Sequence, residues 1–331
     1  MSMNKITIKD VAREAGVSIG TVSNVLNGSD VVHPKTRDHV MEVAKRLNYI
    51  PNVNGRQLRA VQTHNIGLFV TSMTGSYYGD MADAIHYLCR KHGYELQIFI
   101  VDEDVSPLPR LQNQSIDGAI IMFGSLSAED KAQLSSTQIP IVFMDQEMAG
   151  RNISSVIYES FQHGRMAAEY LLGLGHRDLM HIYGVPYNYD SIQRLKGFEA
   201  ALRDAGVPLR KENVLSGRFE RAAAYRSMHR YLQEDHRLPD AVFASNDLSA
   251  LGCMEALKEY GIRVPEDISI IGCDDNILAS YVTPALTTIR THMEELGVEA
   301  AREVFRLITE KEGRIVRLPG DIVVRHSCRI H

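Results

Sequence analysis

The sequence predicts an α/β protein in which a small three-helix head precedes two doubly wound parallel-sheet lobes. In the first fifty residues, apolar side chains recur with the period of an α-helix. From residue 65 onward, short apolar runs alternate with helical stretches, and this series occurs twice. Such alternation is typical of parallel sheets covered by helices on both faces. The 331 residues are enough for both parts.

Charge is distributed unevenly along the chain. The whole sequence has a formal net charge of −5, but residues 1–62 hold nine Lys and Arg against five Asp and Glu. A basic head on an acidic body is typical of a protein that binds a polyanion at one end only. A solvated helical surface gives the same pattern, so charge alone leaves both interpretations open.

The composition excludes several classes of protein. The four cysteines are far apart and form no C-x-x-C pair, which argues against a zinc ribbon and against a disulfide framework. The N-terminus lacks the apolar core of a signal peptide, and no apolar run approaches the roughly 18 residues of a membrane span. We therefore expect a cytoplasmic protein that does not interact with a membrane.

The first helix is predicted over residues 8–15. Its apolar stripe consists of Ile8, Val11, Ala12 and Ala15. Thr7 can cap this helix, and Asp10 places a negative charge near the positive end of the helix dipole. Gly16 suits the left-handed residue that follows a helix.

The next stretch, GVSIG at residues 16–20, matches the G-x-S-x-G pattern of many serine hydrolases. That pattern places its nucleophile between a strand and a helix. Here a helix enters Gly16, so we interpret Ser18 as the N-cap of a second helix and a donor to phosphate. The predicted buried side of this helix consists of Val22, Val25 and Leu26, and its outward positions are Ile19, Gly20, Thr21, Ser23 and Asn24.

A third helix is predicted to begin near Pro34, with an apolar stripe made of Val40, Val43, Ala44 and Leu47. A short amphipathic helix held by two others fits the major groove of DNA and reads base edges from its N-terminal turns. A three-helix domain that binds protein is the alternative. The charge asymmetry favours DNA.

The run TIKDVAREAGVSIGTVSNVLNG, followed by TRDHVMEVAKRLNYIPN and RQLRA, resembles the N-terminal domain and hinge of the LacI/GalR (lactose repressor) family of bacterial transcription factors. The resemblance continues over nearly the whole chain. It implies a helix-turn-helix DNA-binding domain at 1–50, a hinge helix and linker at 51–63, and a periplasmic-binding-protein-like domain for effector binding and dimerisation at 64–331. The implied N-lobe spans about 64–159 and 291–319, and the C-lobe spans about 160–290 and 320–331.

The resemblance also implies how DNA is bound. A homodimer would place its paired heads in successive major grooves of double-stranded operator DNA, and its two hinge helices in the minor groove. Ile19, Gly20 and Asn24 fall where the family reads bases, and Thr21 and Ser23 where it touches phosphate. Leu58 falls where a leucine wedges between the central base pairs. The implied DNA-contacting set is completed by Thr7, Ser18, Asn27 and Arg59.

Two residues of this region depart from the family pattern. Asn24 stands where many members carry Arg, and Asn pairs with adenine rather than guanine. Gly55 stands in the hinge where Ala is common, and Gly costs about 1 kcal/mol of helix stability. We expect an altered half-site and a hinge helix that is poorly formed away from DNA.

The strands of the two lobes are predicted from short apolar runs. Those of the first lobe are IGLFV (66–70), LQIFIV (96–101), AIIMF (119–123) and IVFM (141–144), with YYGDMADAIHYLCRKHG as the first crossover helix. Those of the second are LMHIYG (179–184), AVFAS (241–245) and SIIGCD (269–274). All are interpreted as buried strands of parallel sheets. Such lobes bind ligands at the carboxyl ends of their strands, in the cleft between them.

The resemblance supplies candidate effector-binding residues, namely Tyr77, Tyr78, Arg194, Phe219, Asn246 and Asp274. Guanidinium, amide and carboxylate groups hold a hydroxyl-rich molecule through charge-assisted hydrogen bonds, and aromatic rings stack on a sugar or base. Asp247 is as well explained as a helix cap, and one of the two tyrosines as a core residue. We expect a sugar or sugar derivative as effector; a purine or a protein partner is the alternative.

Enzymatic interpretations are weaker. Asp274 and Asp275 with Glu159 resemble a glycosidase carboxylate pair, but adjacent residues leaving a strand usually point in different directions. No H-E-x-x-H or comparable metal spacing occurs, so no cofactor, metal or catalytic residue is predicted. A non-regulatory sugar-binding protein of this architecture would have a signal peptide and no head. The chain ends without a leucine-heptad tail, which favours a dimer over a tetramer.

Overall fold

The computed structural model describes residues 6–26, 29, 31–47, 49, 62–73, 76–102, 111, 116–122, 126–134, 137–234 and 236–331. The chain folds as two compact units, Met1–Thr63 and His64–His331. Four positions singled out from the sequence, Asn27, Gly55, Leu58 and Arg59, lie outside the described residues, as do residues 51–61 of the hinge and linker predicted over 51–63.

The described residues of the smaller unit form three helices, α1 (Ile8–Ala15), α2 (Ile19–Leu26) and α3 (Pro34–Arg46). They pack around one core that consists of Val11, Ala12, Ala15, Val22, Val25, Val40, Val43 and Ala44. Each of these residues belongs to an apolar stripe predicted from the helical period, so the three-helix head is confirmed.

The ends of α1 are closed as the sequence predicts. The main-chain N–H and the hydroxyl of Thr7 both donate to Oδ2 of Asp10, over 2.9 and 2.7 Å. Gly16 has a φ of +64°, and the N–H of Val17 reaches back to the carbonyl of Ala12. This left-handed residue ends α1 and starts the turn into α2.

The larger unit is an α/β fold with two six-stranded sheets. Its helices are α4 (Ser76–Lys91), α5 (Ala128–Leu134), α6 (Ser160–Gly173), α7 (Tyr189–Asp204), α8 (Arg221–Gln233), α9 (Asp247–Glu259), α10 (Ile277–Tyr281) and α11 (Met293–Glu310). Its strands are β1 (Asn65–Val70), β2 (Glu95–Ile100), β3 (Gly118–Met122), β4 (Ile141–Phe143), β5 (Ile153–Tyr158), β6 (Leu179–Tyr183), β7 (Val214–Ser216), β8 (Ala241–Ala244), β9 (Ser269–Asp274), β10 (Thr287–Arg290), β11 (Ile315–Leu318) and β12 (Asp321–Val323).

The first lobe is built on a parallel sheet with the strand order β11-β5-β4-β3-β1-β2. Helices α4 and α11 cover one face. There, Met81 of α4 and Val304 of α11 pack with three buried side chains of the central strands, namely Ile66, Leu68 and Ile120. Burial of these apolar groups is the main stabilising contribution to the lobe.

The second lobe has the order β12-β10-β9-β8-β6-β7. All neighbouring strands are parallel except β10 and β12, which pair antiparallel. Helices α6 and α7 pack on one face and α8 and α9 on the other. Because β11 belongs to the first sheet and β12 to the second, the chain crosses between the lobes after β5, after β10 and after β11.

The structure corrects the prediction for β2. The apolar run at 96–101 predicted a buried strand, but β2 lies at the edge of its sheet, and Ile98 and Ile100 are exposed. An apolar run predicts a strand, but it does not show whether that strand lies in the centre of the sheet or at its edge. The sequence interpretation also missed β5, β7, β10, β11 and β12, which are short or contain polar residues.

None of the described helices has the length and apolarity needed to cross a bilayer.

Candidate functional site

The exposed face of α2 is the first candidate site. Ile19, Gly20 and Asn24 are exposed, and Thr21 and Ser23 are half-buried. The opposite face carries the buried residues Val22 and Val25, which join the core of the head. Ile19 is the first residue of α2, and its large apolar side chain is 46% exposed. A helix that binds in a DNA groove contacts base edges from its N-terminal residues.

Ser18 caps this helix, as predicted. Its Oγ accepts a hydrogen bond from the N–H of Thr21 over 3.0 Å and lies 2.9 Å from the hydroxyl of Thr21. A helix, and not a strand, precedes Gly16. The serine therefore lacks the strand-to-helix turn that presents a hydrolase nucleophile, which argues against the hydrolase interpretation.

The second candidate site lies at the carboxyl ends of the strands of the second lobe. Arg194, on α7, is buried with 3% of its surface exposed. Its guanidinium donates a hydrogen bond to the carbonyl oxygen of Ser245, just after β8. The same Nη1 lies 3.7 Å from Oδ1 of Asp274, the last residue of β9. The structure thus brings together two of the predicted effector-binding residues.

The carboxyl groups of Asp274 and Asp190 both lie close enough to the Arg194 guanidinium to interact with its charge. Burial raises the pKa of Asp274 to about 7, with Arg194 opposing the rise and Asp190 adding to it. Burial also raises the pKa of Asp190, which accepts a 2.6 Å hydrogen bond from the hydroxyl of Ser160. A cluster of this kind can accept hydrogen bonds from the donors of a ligand and change its own proton content near neutral pH.

Asn246 and Asp247 have different roles from those weighed in the sequence. Asn246 is the N-cap of α9, since its Oδ1 accepts from the N–H of Ser249, and its Nδ2 donates to the carbonyl of Phe219. The capping interpretation of Asp247 is therefore wrong. Asp247 lies inside α9, fully buried, and accepts from the hydroxyl of Thr288 and the N–H of Asn276. Both side chains hold loops of the site in place.

Phe219 adopts a backbone conformation that a sequence pattern does not reveal. Phe219 and the preceding Arg218 both have positive φ angles, 61° and 51°. The Phe219 ring lies over Gly184, where an added Cβ would come within 2.2 Å of the ring. Gly184 therefore leaves the space that the half-buried ring fills at this end of the sheet.

The two predicted aromatic residues of the first lobe are placed differently. Tyr78 is half-buried and packs against the core of the first lobe, which agrees with the expectation that one of the pair is a core residue. Tyr77 lies within α4, and its side chain is outside the described part of the structure.

A cavity of about 550 Å³ lies between the lobes. It is lined by Asp80 from the first lobe, by Asp274, Asp275 and Arg290 from the second, and by Glu294 at the start of α11. Its volume is within the range of small-molecule sites. Of the predicted effector-binding residues that the structure describes, Asp274 alone lines it.

Asp275 illustrates why a carboxylate pair does not form. Its side chain pairs with Arg290 over 2.9 Å and with Arg325, whereas Asp274 faces Arg194. The two adjacent carboxylates therefore point to different partners, as expected for residues leaving a strand.

Sequence reasoning missed several groups of the site. Asp190 stands one helical turn before Arg194, a spacing that puts both on one face of α7 and could have revealed it. Tyr189 donates a 2.9 Å hydrogen bond to Glu147, which also pairs with Arg317. Tyr189 belongs to the second lobe and Glu147 to the first, and no sequence signal links them.

Among the described residues of the larger unit, apolar side chains are exposed together at one place in each lobe. In the first lobe, Ile98 and Ile100 of edge strand β2 are exposed, and so is Tyr87 on the neighbouring α4. In the second lobe, α10 exposes Ile277 and Tyr281. Exposed apolar patches of this kind mark interaction surfaces.

Comparison with known families agrees with this arrangement. Residues 7–52 match the family model described as bacterial regulatory proteins, lacI family, and residues 168–328 match the periplasmic binding protein-like domain. The repressor PurR of Histophilus somni is 34% identical over 332 residues, which cover 98% of this chain and 99% of that protein. The chain belongs to the lacI family of bacterial regulatory proteins.

Other lacI-family members are similar over comparable lengths. PurR of Yersinia pestis is 37% identical over 97% of this chain and 96% of its own. Among solved structures, the Lac repressor dimer bound to operator and the anti-inducer ONPF is 27% identical, with a TM-score of 0.82 over 98% of this chain and 100% of that one. The regulator CelR in complex with cellobiose is 28% identical, with a TM-score of 0.74 over 97% and 99%.

These relatives define the general activity of this lacI-family chain. It is a DNA-binding transcriptional repressor, with a helix-turn-helix head and a periplasmic-binding-protein-like body. The predicted fold class and family are confirmed.

Proposed function

We propose that the protein is a homodimeric repressor that binds near-palindromic operators through α2, and that a small molecule held at the Arg194 cluster sets its operator affinity. The observation that carries this proposal is the buried Arg194–Asp274 contact at the carboxyl ends of the second sheet, in a chain whose head exposes a recognition helix. Such a site can bias one closure state of the lobes, and only a difference in affinity between states changes DNA binding.

The DNA half of the proposal rests on the exposed face of α2. Ile19, Gly20 and Asn24 are accessible for base contact, and Ser18, Thr21 and Ser23 for phosphate or groove contact. Thr7 is exposed at the start of α1, where main-chain N–H groups favour phosphate. Asn27, Leu58 and Arg59 complete the proposed DNA-binding set on the family resemblance.

The effector is proposed to be a sugar or sugar derivative. Asp190 and Asp274 supply acceptors and Arg194 supplies donors, which suits a molecule carrying many hydroxyl groups. Two solved relatives support this class, since one is a cellobiose complex and another, from Enterococcus faecium, has bound ribose. The second relative is 27% identical, with a TM-score of 0.72 over 81% of this chain and 99% of its own.

A purine is the second candidate effector. It is favoured by the curated relatives, several of which are repressors named PurR. The ring N–H groups of a purine can donate to the same carboxylates, and Phe219 supplies an aromatic face close to Asn246.

Dimerisation is proposed to use the two exposed apolar patches of the larger unit. The patch around Ile100 and the patch around Tyr281 together offer contact areas in both lobes. A dimer would bury them, which removes exposed apolar surface from water.

The proposal is tested with two linked measurements. DNA fragments retained by the full chain are sequenced, and we expect near-palindromes bound with an affinity that falls steeply with salt. A chain beginning at residue 64 should fold and bind the effector but should not retain these fragments. Thermal-shift screening against separate panels of sugars and purines then identifies the effector class, since a ligand at 100 times its Kd stabilises by about 2.7 kcal/mol. Full operator affinity without residues 1–63 would contradict the proposal.

A further inference from the structure

Three residues from distant parts of the sequence meet at one edge of the second lobe. They are His176 in the loop before β6, Asp240 just before β8, and His331 at the end of the sequence. Each can present one ligand atom, and the three atoms lie within 4.8 Å of one another. No motif spacing links these positions, which is why the sequence predicted no metal.

His176 is held in the form that binds a metal ion. It is 1% exposed, and its Nε2 lies 3.1 Å from the carbonyl oxygen of Arg329. A carbonyl only accepts, so Nε2 carries the proton, and the lone pair of the neutral ring is on Nδ1. Nδ1 is buried and has no hydrogen-bond partner. A backbone carbonyl that orients an imidazole in this way is a common feature around metal-binding histidines.

Asp240 is oriented by the main chain. Its Oδ2 accepts hydrogen bonds from the N–H groups of Arg177 and Asp178, over 3.1 and 2.9 Å. The other carboxylate oxygen, Oδ1, lies 3.9 Å from Nε2 of His331. One oxygen therefore fixes the carboxylate while the other faces the two imidazoles.

His331 is anchored through its backbone, and its ring is exposed. Its N–H donates to the carbonyl of Leu174 over 2.8 Å, and its side chain is 47% exposed. The rings of His331 and His176 have centroids 5.3 Å apart. Ligand atoms around zinc lie about 3.3 Å apart, since each bond is about 2.0–2.1 Å. Metal binding would therefore require the exposed ring of His331 to move closer to the other two ligands.

We propose that His176, Asp240 and His331 form a binding site for a divalent transition-metal ion, with Zn²⁺ as the representative ion and water in its remaining position. Two imidazoles and one carboxylate are a ligand set typical of zinc, and imidazole also suits Ni²⁺ and Co²⁺. Magnesium, which prefers oxygen ligands, is excluded by the same chemistry. Bound metal would tie the last residue of the sequence to the loops before β6 and β8. This inference is independent of the effector and of DNA binding.

The test uses the full chain, free of any polyhistidine tag and treated with a chelator. Titration calorimetry with Zn²⁺ should show one equivalent bound above the weak background of the exposed histidines. The substitution His331→Gln should lower this affinity at least tenfold, because it removes one of three ligands. Asp240→Asn should do the same while keeping an oxygen for the two main-chain N–H groups. The matched control His326→Gln removes an exposed histidine of the same segment and should leave the affinity unchanged.

Two further readouts separate a metal site from a simple His–Asp contact. At the same Zn²⁺ concentration, the Tm should rise for the natural chain and for His326→Gln, and should rise by less for His331→Gln. Co²⁺ should give visible absorption bands of a low-coordinate nitrogen and oxygen site, and Mg²⁺ should have no effect. Equal Zn²⁺ affinity in the natural chain and in His331→Gln, or the absence of a saturable equivalent, would overturn the proposal.

Discussion

At the residue scale, Arg194 has a structural role in the fold and a proposed role in ligand binding, and a sequence pattern does not distinguish these two roles. It is almost fully buried, it donates to the carbonyl of Ser245, and it lies near Asp274 and Asp190. A guanidinium in such a place stabilises the fold, and in the proposed function it also binds a ligand that enters between the same groups. Removing one partner of a buried charge cluster leaves the others uncompensated.

We predict that Arg194→Ala lowers effector affinity by about ten- to hundredfold, because a charge-assisted hydrogen bond contributes about 1.5–3 kcal/mol. Operator affinity without effector should remain nearly unchanged at temperatures well below the Tm. The Tm itself should fall, since Asp190 and Asp274 lose their cation. Operator binding with and without effector measures the response. Arg165→Ala is the control, because it removes a helix-surface ion pair with Asp204; an undiminished response in Arg194→Ala would defeat the assignment.

A second prediction concerns Asp274, whose pKa is raised to about 7 by burial. The unfolded chain releases this proton near pH 3.9, so the native state binds more protons between about pH 4 and 7. The contribution of Asp274 to stability therefore falls as pH rises through this window and is constant above it. We expect Asp274→Asn to gain stability relative to the natural chain over the same window, as measured by urea unfolding at several pH values.

Asp267→Asn is the matched control for this titration. Hydrogen bonds from Arg263 lower the pKa of Asp267, so its contribution is present above the unfolded pKa and is lost on acidification. The control should lose stability relative to the natural chain as pH rises toward the unfolded pKa of about 3.9, and this difference should stay constant over the window of about pH 4–7 in which Asp274→Asn changes. A pH-independent difference for Asp274→Asn would show that its carboxyl is already ionised throughout.

At the scale of elements, α2 has one face packed in the core of the head and one face exposed, and the exposed face is the one proposed to read DNA. Val22 and Val25 are buried in the head, and Asn24 is exposed between them in sequence. The helical period therefore accounts for both the stability and the accessible surface of this element.

We predict that Asn24→Ala reduces discrimination at one base pair of each half-site, by about 1–3 kcal/mol, because Asn can pair bidentately with adenine. Affinity for unrelated DNA should be unchanged, since phosphate contacts remain. Binding to a set of single-base operator variants measures this directly. Met41→Ala, which alters an exposed residue of α3, should leave the base preference intact, and an equal loss at every position would argue against base reading by Asn24.

At the scale of the whole molecule, a dimer would present two heads to one operator, whereas a monomer would present one. Dimerisation and DNA binding are therefore expected to be coupled. Edge strand β2 exposes Ile100, which is 60% accessible. A charge placed inside an apolar contact is costly unless it is paired. A monomer would offer one short recognition helix, which contacts a single half-site.

We therefore predict that Ile100→Asp shifts the protein toward monomer and weakens operator binding, without unfolding either lobe. Sedimentation velocity gives the oligomeric state, and circular dichroism gives the Tm. Ile330→Asp places the same charge at another exposed apolar position and should remain dimeric. A dimeric Ile100→Asp variant would show that β2 lies outside the interface.

The sequence by itself determined the local features of this protein. The stripes of α1, α2 and α3, the cap formed by Ser18 and the left-handed Gly16 all follow from neighbouring residues, because helix period, capping and positive φ are local properties. The central strands β1, β3, β8 and β9 were also predictable, since their apolar runs are buried on both faces.

Only the tertiary structure decided which distant residues meet. It placed β2 at an edge, committed Asn246 and Asp247 to holding loops, joined Asp190 to Ser160, and assembled His176, Asp240 and His331. Each of these depends on how distant segments pack in the folded chain, and the meeting of His331 with His176 and Asp240 also depends on the return of the chain to the second lobe after β11. The physical reason is that burial, pKa and metal-ligand geometry are set by groups close in space, and a pattern read along one chain contains no distance between them.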